Sequence, residues 1–291
     1  MDDAELKVVR RAYALQVTAT GDVADPAVRD AFAAVRREDY LGEGPWPIWR
    51  WGRYAPSPSA DPVYLYSDIL IGLVPERGLN NGQPSFHATL LASAAPRPGE
   101  HVVHVGAGVG YFTAIMAHMV GPGGRVTAIE YDPVLAARCQ ANFAEAANVR
   151  VIQGDGASAA FAPADVIYVN AGATHPADAW LDGLKDGGRL ILPLTTRQIP
   201  ASEGPTPPLG PLQGAPVFGG VLRVEREGDD FLARFISRVG IFPCEGARDE
   251  ASEAVLAEAF AGGGSESVTR LYRGEDGPAD CWLRAPGWAL A

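Results

Sequence analysis

The stretch His101-Val-Val-His-Val-Gly-Ala-Gly-Val-Gly-Tyr-Phe-Thr113 decides the fold. An apolar strand, Val102 to Val105, runs into a turn built on Gly106, Gly108 and Gly110, and a helix starts at Tyr111. Twenty residues after Gly110 a second strand, Val126-Thr-Ala-Ile-Glu130, ends on an acid. A doubly wound sheet holds an adenosine in this way: glycines let the backbone approach the ligand, the helix N-terminus faces it, and the acid accepts from the ribose hydroxyls. A dinucleotide fingerprint would place its third glycine where this chain has Tyr111. That departure argues against a pyrophosphate and for S-adenosylmethionine.

Working outward, strands and helices alternate as in a parallel sheet with crossover helices. Tyr111 to Val120 reads as a helix, Arg125 to Glu130 as a strand, and Asp132-Pro133 as the start of the next helix. Val149 to Gln153 is a strand ending in Gly154-Asp155-Gly156. Asp165 to Val169 and Arg189 to Leu194 are strands flanking a helix over Ala177 to Leu184, with Gly187-Gly188 before the second. A Pro/Gly-rich stretch from Pro200 to Gly220 precedes a hairpin, Val221 to Glu225 and Phe231 to Phe242, turned at Gly228-Asp-Asp230. Glu253 to Phe260 reads as a helix and Ser267 to Tyr272 as a further strand.

Before the sheet, Leu6, Val9, Tyr13 and Val17 recur at helical spacing, and Asp25-Pro26 opens a second helix with Val28, Phe32 and Val35 on one face. Residues 43–63 hold five prolines and the aromatic group Trp46, Trp49, Trp51 and Tyr54, which reads as a long loop. Its aromatics either pack under the loop or form a substrate-facing lid. Asn80-Asn81-Gly82-Gln83-Pro84 is a turn, with Pro84 suited to the first position of a helix through Ala95.

The whole predicts an α/β protein with a Rossmann-like, doubly wound, mostly parallel seven-stranded sheet, N-terminal helices and a C-terminal extension. Three segments are expected: a helical, substrate-facing 1–95, a cofactor-binding core 96–245, and an extension 246–291. With 291 residues the chain is long enough for a full core. Its formal net charge of −11 disfavours nucleic acid as a partner. Cys139, Cys244 and Cys281 show neither metal-ligand nor redox spacing, so no metal is expected. An acidic start, Met1-Asp-Asp-Ala-Glu5, and the lack of a membrane-length apolar run lead to the expectation of a cytoplasmic protein away from membranes.

Several stretches together resemble protein-L-isoaspartate O-methyltransferases over roughly residues 5–245: Asp25-Pro-Ala-Val-Arg-Asp-Ala-Phe-Ala-Ala-Val-Arg-Arg-Glu-Asp-Tyr40, Gln83-Pro84, Val103 to Tyr111, Gly154-Asp-Gly156, and Leu184-Lys-Asp-Gly-Gly-Arg-Leu-Ile-Leu-Pro193. The resemblance implies a class I fold using S-adenosylmethionine, with Glu130 on the ribose, Asp155 on the adenine amino group, and the Gly106 to Gly110 backbone beside the methionine part. Val105, Ala107, Tyr111, Tyr131, Gly156 and Asn170 complete the expected cofactor set. Two positions depart from the family. It places an acid where this chain has His104, so the contact at the methionine end is not carried over. It also reads Thr-Ile-Ser where this chain has Asn80-Asn81-Gly82, so the hydroxyls that hold an isoaspartyl carboxylate are missing.

Methyl transfer from a sulfonium is an in-line displacement that demands alignment and exclusion of water. A carboxylate acceptor is ionised near neutral pH and needs no base, whereas an amine or hydroxyl acceptor benefits from one. Asn80, Asn81, Gln83, Ser85 and His87 are the candidate acceptor-side residues. Amides bind a carboxylate or peptide backbone, although Asn81-Gly82 is also an ordinary turn dipeptide. His87 reads as either a substrate contact or a hydrogen-bonded helix residue. His175 reads as a cleft residue or a helix cap, and His101 and His118 as structural or solvent-facing. The expectation is an S-adenosylmethionine-dependent carboxyl O-methyltransferase acting on a peptide or protein, with a modified peptide in place of damaged protein as one form of that acceptor. Two alternatives stand: a small-molecule O- or N-methyltransferase, and a noncatalytic binding protein on the same fold.

Overall fold

In the computed structural model, which describes residues 1–197, 217–274 and 277–291, the N-terminal helical spacing is realised as α1 (Asp3–Thr20) and α2 (Pro26–Ala34). Asp25 caps α2 through the Ala27 N–H at 2.8 Å, with Pro26 at the first helical position. A short α3 (Glu38–Leu41) leads into the aromatic segment. There the expected loop holds an antiparallel ribbon, β1 (Pro47–Arg50) with β2 (Arg53–Pro56), turned at Trp51-Gly52. Its prolines hid it from the sequence reading. Pro47 and Pro56 face each other at the open end of the ribbon, where a missing N–H costs the ladder least. A second small ribbon, β3 (Gly72–Val74) with β4 (Leu79–Asn80), precedes α4 (Pro84–Ala94).

The core then runs β5 (His101–Val105), α5 (Tyr111–Val120), β6 (Arg125–Glu130), α6 (Pro133–Asn142), β7 (Val149–Gln153), β8 (Ala164–Val169), α7 (Asp178–Gly183), β9 (Leu184–Thr196), β10 (Val217–Glu227) and β11 (Asp230–Ile241). After α8 (Glu250–Gly262) come β12 (Arg270–Arg273), β13 (Leu283–Ala285) and β14 (Trp288–Leu290). The large sheet has the order β13-β14-β12-β11-β10-β9-β8-β5-β6-β7. It is parallel from β7 through β9 and antiparallel beyond. The seven strands expected are β5 to β11; the C-terminal segment adds three more, making ten. Most of the Pro/Gly-rich stretch 200–220 lies outside the described residues.

The period of two along a strand sends alternate residues to opposite faces. On one face Val102, Val126, Val166 and Ile191 pack with Leu6, Tyr13, Val17, Phe32, Leu90 and Ile115 from α1, α2, α4 and α5. On the other, Val103, Val105, Ile167 and Leu192 pack with Trp180, Leu256, Leu271, Trp288 and Leu290. The C-terminal strands therefore share the core of the sheet they extend. The chain leaves β5 towards β6 and later returns on its other side as β8, so a crevice opens beyond the C-terminal ends of β5 and β8. No helix among the described residues is long and apolar enough to cross a membrane.

Candidate active site

The glycine turn follows β5 with Gly106, Gly108 and Gly110 all at positive φ, +77°, +58° and +97°. At Gly110 a Cβ would overlap Phe143 and stand 3.1 Å from Cys139 Sγ, so only glycine lets α6 and the residues after it close on the turn. Glu130, at the end of β6, is 8% exposed. It accepts the Gly108 N–H at 2.6 Å on one oxygen and the Asp132 N–H at 2.9 Å on the other. Burial raises its carboxyl above the usual glutamate value, against the lowering effect of those N–H groups. Asp155, just past β7, accepts from the Ala157 N–H at 2.9 Å and the Ser158 hydroxyl at 3.2 Å. Asn170, just past β8, donates to the Gly106 carbonyl at 3.4 Å.

These groups line a cavity of about 160 Å³, and all eleven residues expected around the cofactor lie on its wall. The backbone cradle at the glycines and the buried carboxylate opposite suit an adenosine with an attached amino acid. Among the described residues, no group of three His, Cys, Asp or Glu side chains is placed to hold a metal ion.

A second cavity, of about 340 Å³, meets the first at Asn80, Asn170 and Phe242, which line both. Asn80 Oδ1 accepts the Gly82 N–H at 2.8 Å, closing the turn. Asn81 lines the first cavity. Its Oδ1 accepts the Ile71 N–H at 2.8 Å, while its buried Nδ2 has no partner among the described residues. Gln83 and His87 line the second cavity. The Gln83 amide donates to Asp68 at 3.0 Å.

Ser85, by contrast, lies on neither wall. Its N–H and hydroxyl both donate to Asp68, at 2.8 and 2.6 Å, so Asp68 caps the start of α4 and takes the hydroxyl out of the cleft.

His87 is 2% exposed, with its ring stacked on Phe112 at 3.6 Å and its Nδ1 2.8 Å from the Tyr168 hydroxyl. Burial pushes its pKa down to about 3, so the ring is neutral around neutral pH. Gly82, at φ +79°, stands directly before it: a Cβ there would overlap His87 Nε2. His104 is fully buried on the α5 side of β5, with Nδ1 2.8 Å from Thr113 Oγ1, and lines neither cavity. Burial also holds it at about 3, so a neutral ring stands where the family has an acid.

The other histidines lie off both cavities. His175 Nδ1 lies 2.9 Å from Asp249, tying the loop after β8 to the start of α8 rather than capping α7. His101 is pinned between the Pro163 carbonyl and Thr127, and His118 is exposed. The aromatic segment divides its roles. Trp46 is buried in packing, Trp49 and Tyr54 line the second cavity, and Trp51 stands 96% exposed at the ribbon tip.

Sequence reasoning missed two stretches of wall. Leu73, Arg77 and Leu79 close the first cavity from the β3–β4 ribbon, with Arg77 paired to Asp132. Phe242 to Gly246, directly after β11, closes it from the other side. A Cβ on Gly246 would overlap the Asp155 carboxyl group, so the segment rests on that side chain. The only signal was the turn composition Pro243-Cys-Glu-Gly246, which lacks a periodic pattern.

The family model described as protein-L-isoaspartate(D-aspartate) O-methyltransferase matches residues 11–201. The Methanopyrus kandleri protein-L-isoaspartate O-methyltransferase is 30% identical over 203 residues, 68% of this chain and 82% of that one. The Arabidopsis thaliana protein-L-isoaspartate O-methyltransferase 1 is 39% identical over 144 residues, 45% of this chain and 61% of that one. A solved structure from Plasmodium falciparum, assigned to the same methyltransferases and holding S-adenosyl-L-homocysteine, superposes with a TM-score of 0.60. It is 17% identical over 81% of this chain and 97% of that one, a likeness that speaks for the fold. The family match over residues 11–201 contains the glycine turn, Glu130 and Asp155, and the chain belongs to the protein-L-isoaspartate O-methyltransferase family of class I S-adenosylmethionine-dependent methyltransferases.

Proposed function

We propose that this chain methylates a carboxylate on a peptide or protein, a modified peptide rather than age-damaged protein, using S-adenosylmethionine held in the first cavity. In this reading Glu130 binds the ribose hydroxyls, Asp155 the adenine amino group, and the Gly106 to Gly110 backbone lies beside the methionine part. The bound cofactor supplies a sulfonium methyl open to in-line attack. The chain's residues align the acceptor and keep water away; Asn81, on the wall of the first cavity, has a buried Nδ2 with no partner among the described residues.

The observation that carries the reading is that junction, walled by Asn80, Asn170 and Phe242, with a neutral His87 at its side. A histidine held near a pKa of about 3 is a poor proton acceptor. A carboxylate acceptor, with an ordinary pKa of about 4, arrives ionised and asks for none. An amine or hydroxyl acceptor would need a base, and His87, the one histidine among the described residues lining either cavity, is held too low to serve as one. Asn80, Asn81 and Gly82 in place of hydroxyls support an acceptor other than a plain isoaspartyl residue. The test is turnover of methyl-labelled cofactor against a panel of isoaspartyl peptides, modified peptides and small acids. Transfer to modified peptides with little to isoaspartyl ones is expected; family-typical rates on isoaspartyl peptides would return the chain to protein repair.

A further inference from the structure

The second cavity is about twice the volume of the first and larger than a carboxylate alone requires. Its walls are mostly aromatic and apolar: Trp49 and Tyr54 from the ribbon, Leu70, Phe86 on α4, and Phe242 after β11. Trp49 and Tyr54 meet edge to face at 4.9 Å, and the Tyr54 hydroxyl donates to the Gly78 carbonyl, which fixes the ring and spends its polar group. The wall is therefore rigid and apolar, the kind of surface that receives another ring in offset or edge-to-face contact. Arg238 also lines this wall.

We propose that the second cavity is a specificity pocket for an aromatic side chain on the acceptor, next to the carboxylate that is methylated. The inference rests on the reading of the first cavity as the donor site. The two cavities share a wall, so a ring seated against Trp49 and Phe86 fixes the direction in which a neighbouring carboxylate reaches the sulfonium.

The test uses 3-phenylpropanoate and propanoate as probes on protein saturated with S-adenosylhomocysteine, with binding followed by calorimetry and ligand-observed NMR. The aryl acid should bind at least tenfold more tightly than propanoate. Trp49→Ala should lose most of that preference, and Leu70→Trp, which fills the cavity without removing a wall, should abolish it. Affinity for S-adenosylhomocysteine should stay within twofold in both variants, which reports an intact fold. Equal binding of the two acids, or full retention of the preference in Leu70→Trp, overturns the proposal. Methyl ester formation in parallel samples that hold S-adenosylmethionine in place of S-adenosylhomocysteine reports separately on the reaction: an aryl acid that binds as expected without being methylated leaves the pocket standing and removes the carboxylate as acceptor.

Discussion

Gly246→Ala probes whether the segment after β11 takes part in holding the cofactor. A Cβ at this position would overlap the Asp155 carboxyl group. Relief comes in one of two ways. Asp155 turns away and gives up the Ala157 N–H and the Ser158 hydroxyl, each worth about 1 kcal/mol. Otherwise the segment lifts and strains its ties, the Gly172 N–H to the Phe242 carbonyl at 2.7 Å and the Cys244 N–H to the Gly172 carbonyl at 2.9 Å. Overpacking of this kind costs ~1–3 kcal/mol. If the loss falls on the cofactor site, S-adenosylhomocysteine affinity drops ~5–150-fold. Calorimetry on the parent, Gly246→Ala, Asp155→Ala and the double variant reads both size and route. With the carboxyl group gone the clash is gone, so Gly246→Ala should cost little in the Asp155→Ala background. A folded Gly246→Ala with parental affinity, or two losses that simply add, would refute the contact as a determinant of binding.

Other consequences follow from the same geometry. Glu130→Ala should weaken cofactor binding ~10–150-fold, the loss of a charge-assisted contact worth ~1.5–3 kcal/mol, as measured by the same titration. His87 and His104 are held at about 3 in the folded chain against an ordinary value near ~6.5. The unfolded chain therefore binds more protons between those values, and stability falls as pH drops from about 6.5 towards 3, by up to ~2.7 kcal/mol per pH unit for the two rings. Denaturant midpoints from pH 7 to 4 should show that slope, and His104→Leu should roughly halve it. Because the family reads Thr-Ile-Ser at residues 80–82, Thr at Asn80 and Ser at Gly82 together suggest a route to isoaspartyl activity. The overlap of a Cβ at Gly82 with His87 Nε2, at a φ of +79°, predicts instead that Gly82→Ser destabilises the chain by ~1–3 kcal/mol and leaves isoaspartyl transfer low. An isoaspartyl assay on the folded variant decides between them.

The parallel half of the fold was legible because local and long-range signals agree there. Asp132-Pro133 starts α6, Val149 to Gln153 is a strand from end to end, and Gly110 marks the start of α5, because each boundary carries a cap, a proline or a glycine. The β1–β2 ribbon was not legible, since its prolines read as loop while its pairing depends on Trp49 opposite Tyr54. β13 and β14 are only three residues each, too short for periodicity to register. At the first cavity, the glycine turn and Glu130 lie within one local motif whose spacing is legible, whereas Asp155 and Asn170, just past β7 and β8, come only with the family resemblance. The wall of the second cavity joins Trp49, Phe86 and the stretch from Arg238 to Phe242 from three distant parts of the chain, and only tertiary packing brings them into one cavity. Ser85 reads as available because Gln83 and His87 beside it are candidate acceptor-side residues; Asp68, seventeen residues earlier, claims it.

Whether the methyl group ends on a carboxylate can be read from the chemical lability of the product. Protein and methyl-labelled S-adenosylmethionine are incubated with an accepted peptide, and the purified product is then exposed to mild alkali. A methyl ester hydrolyses, so the label should leave as volatile methanol and the peptide return to its original mass. Label that stays on the peptide through alkali would place the methyl on nitrogen or an ether oxygen and rule out a carboxylate acceptor.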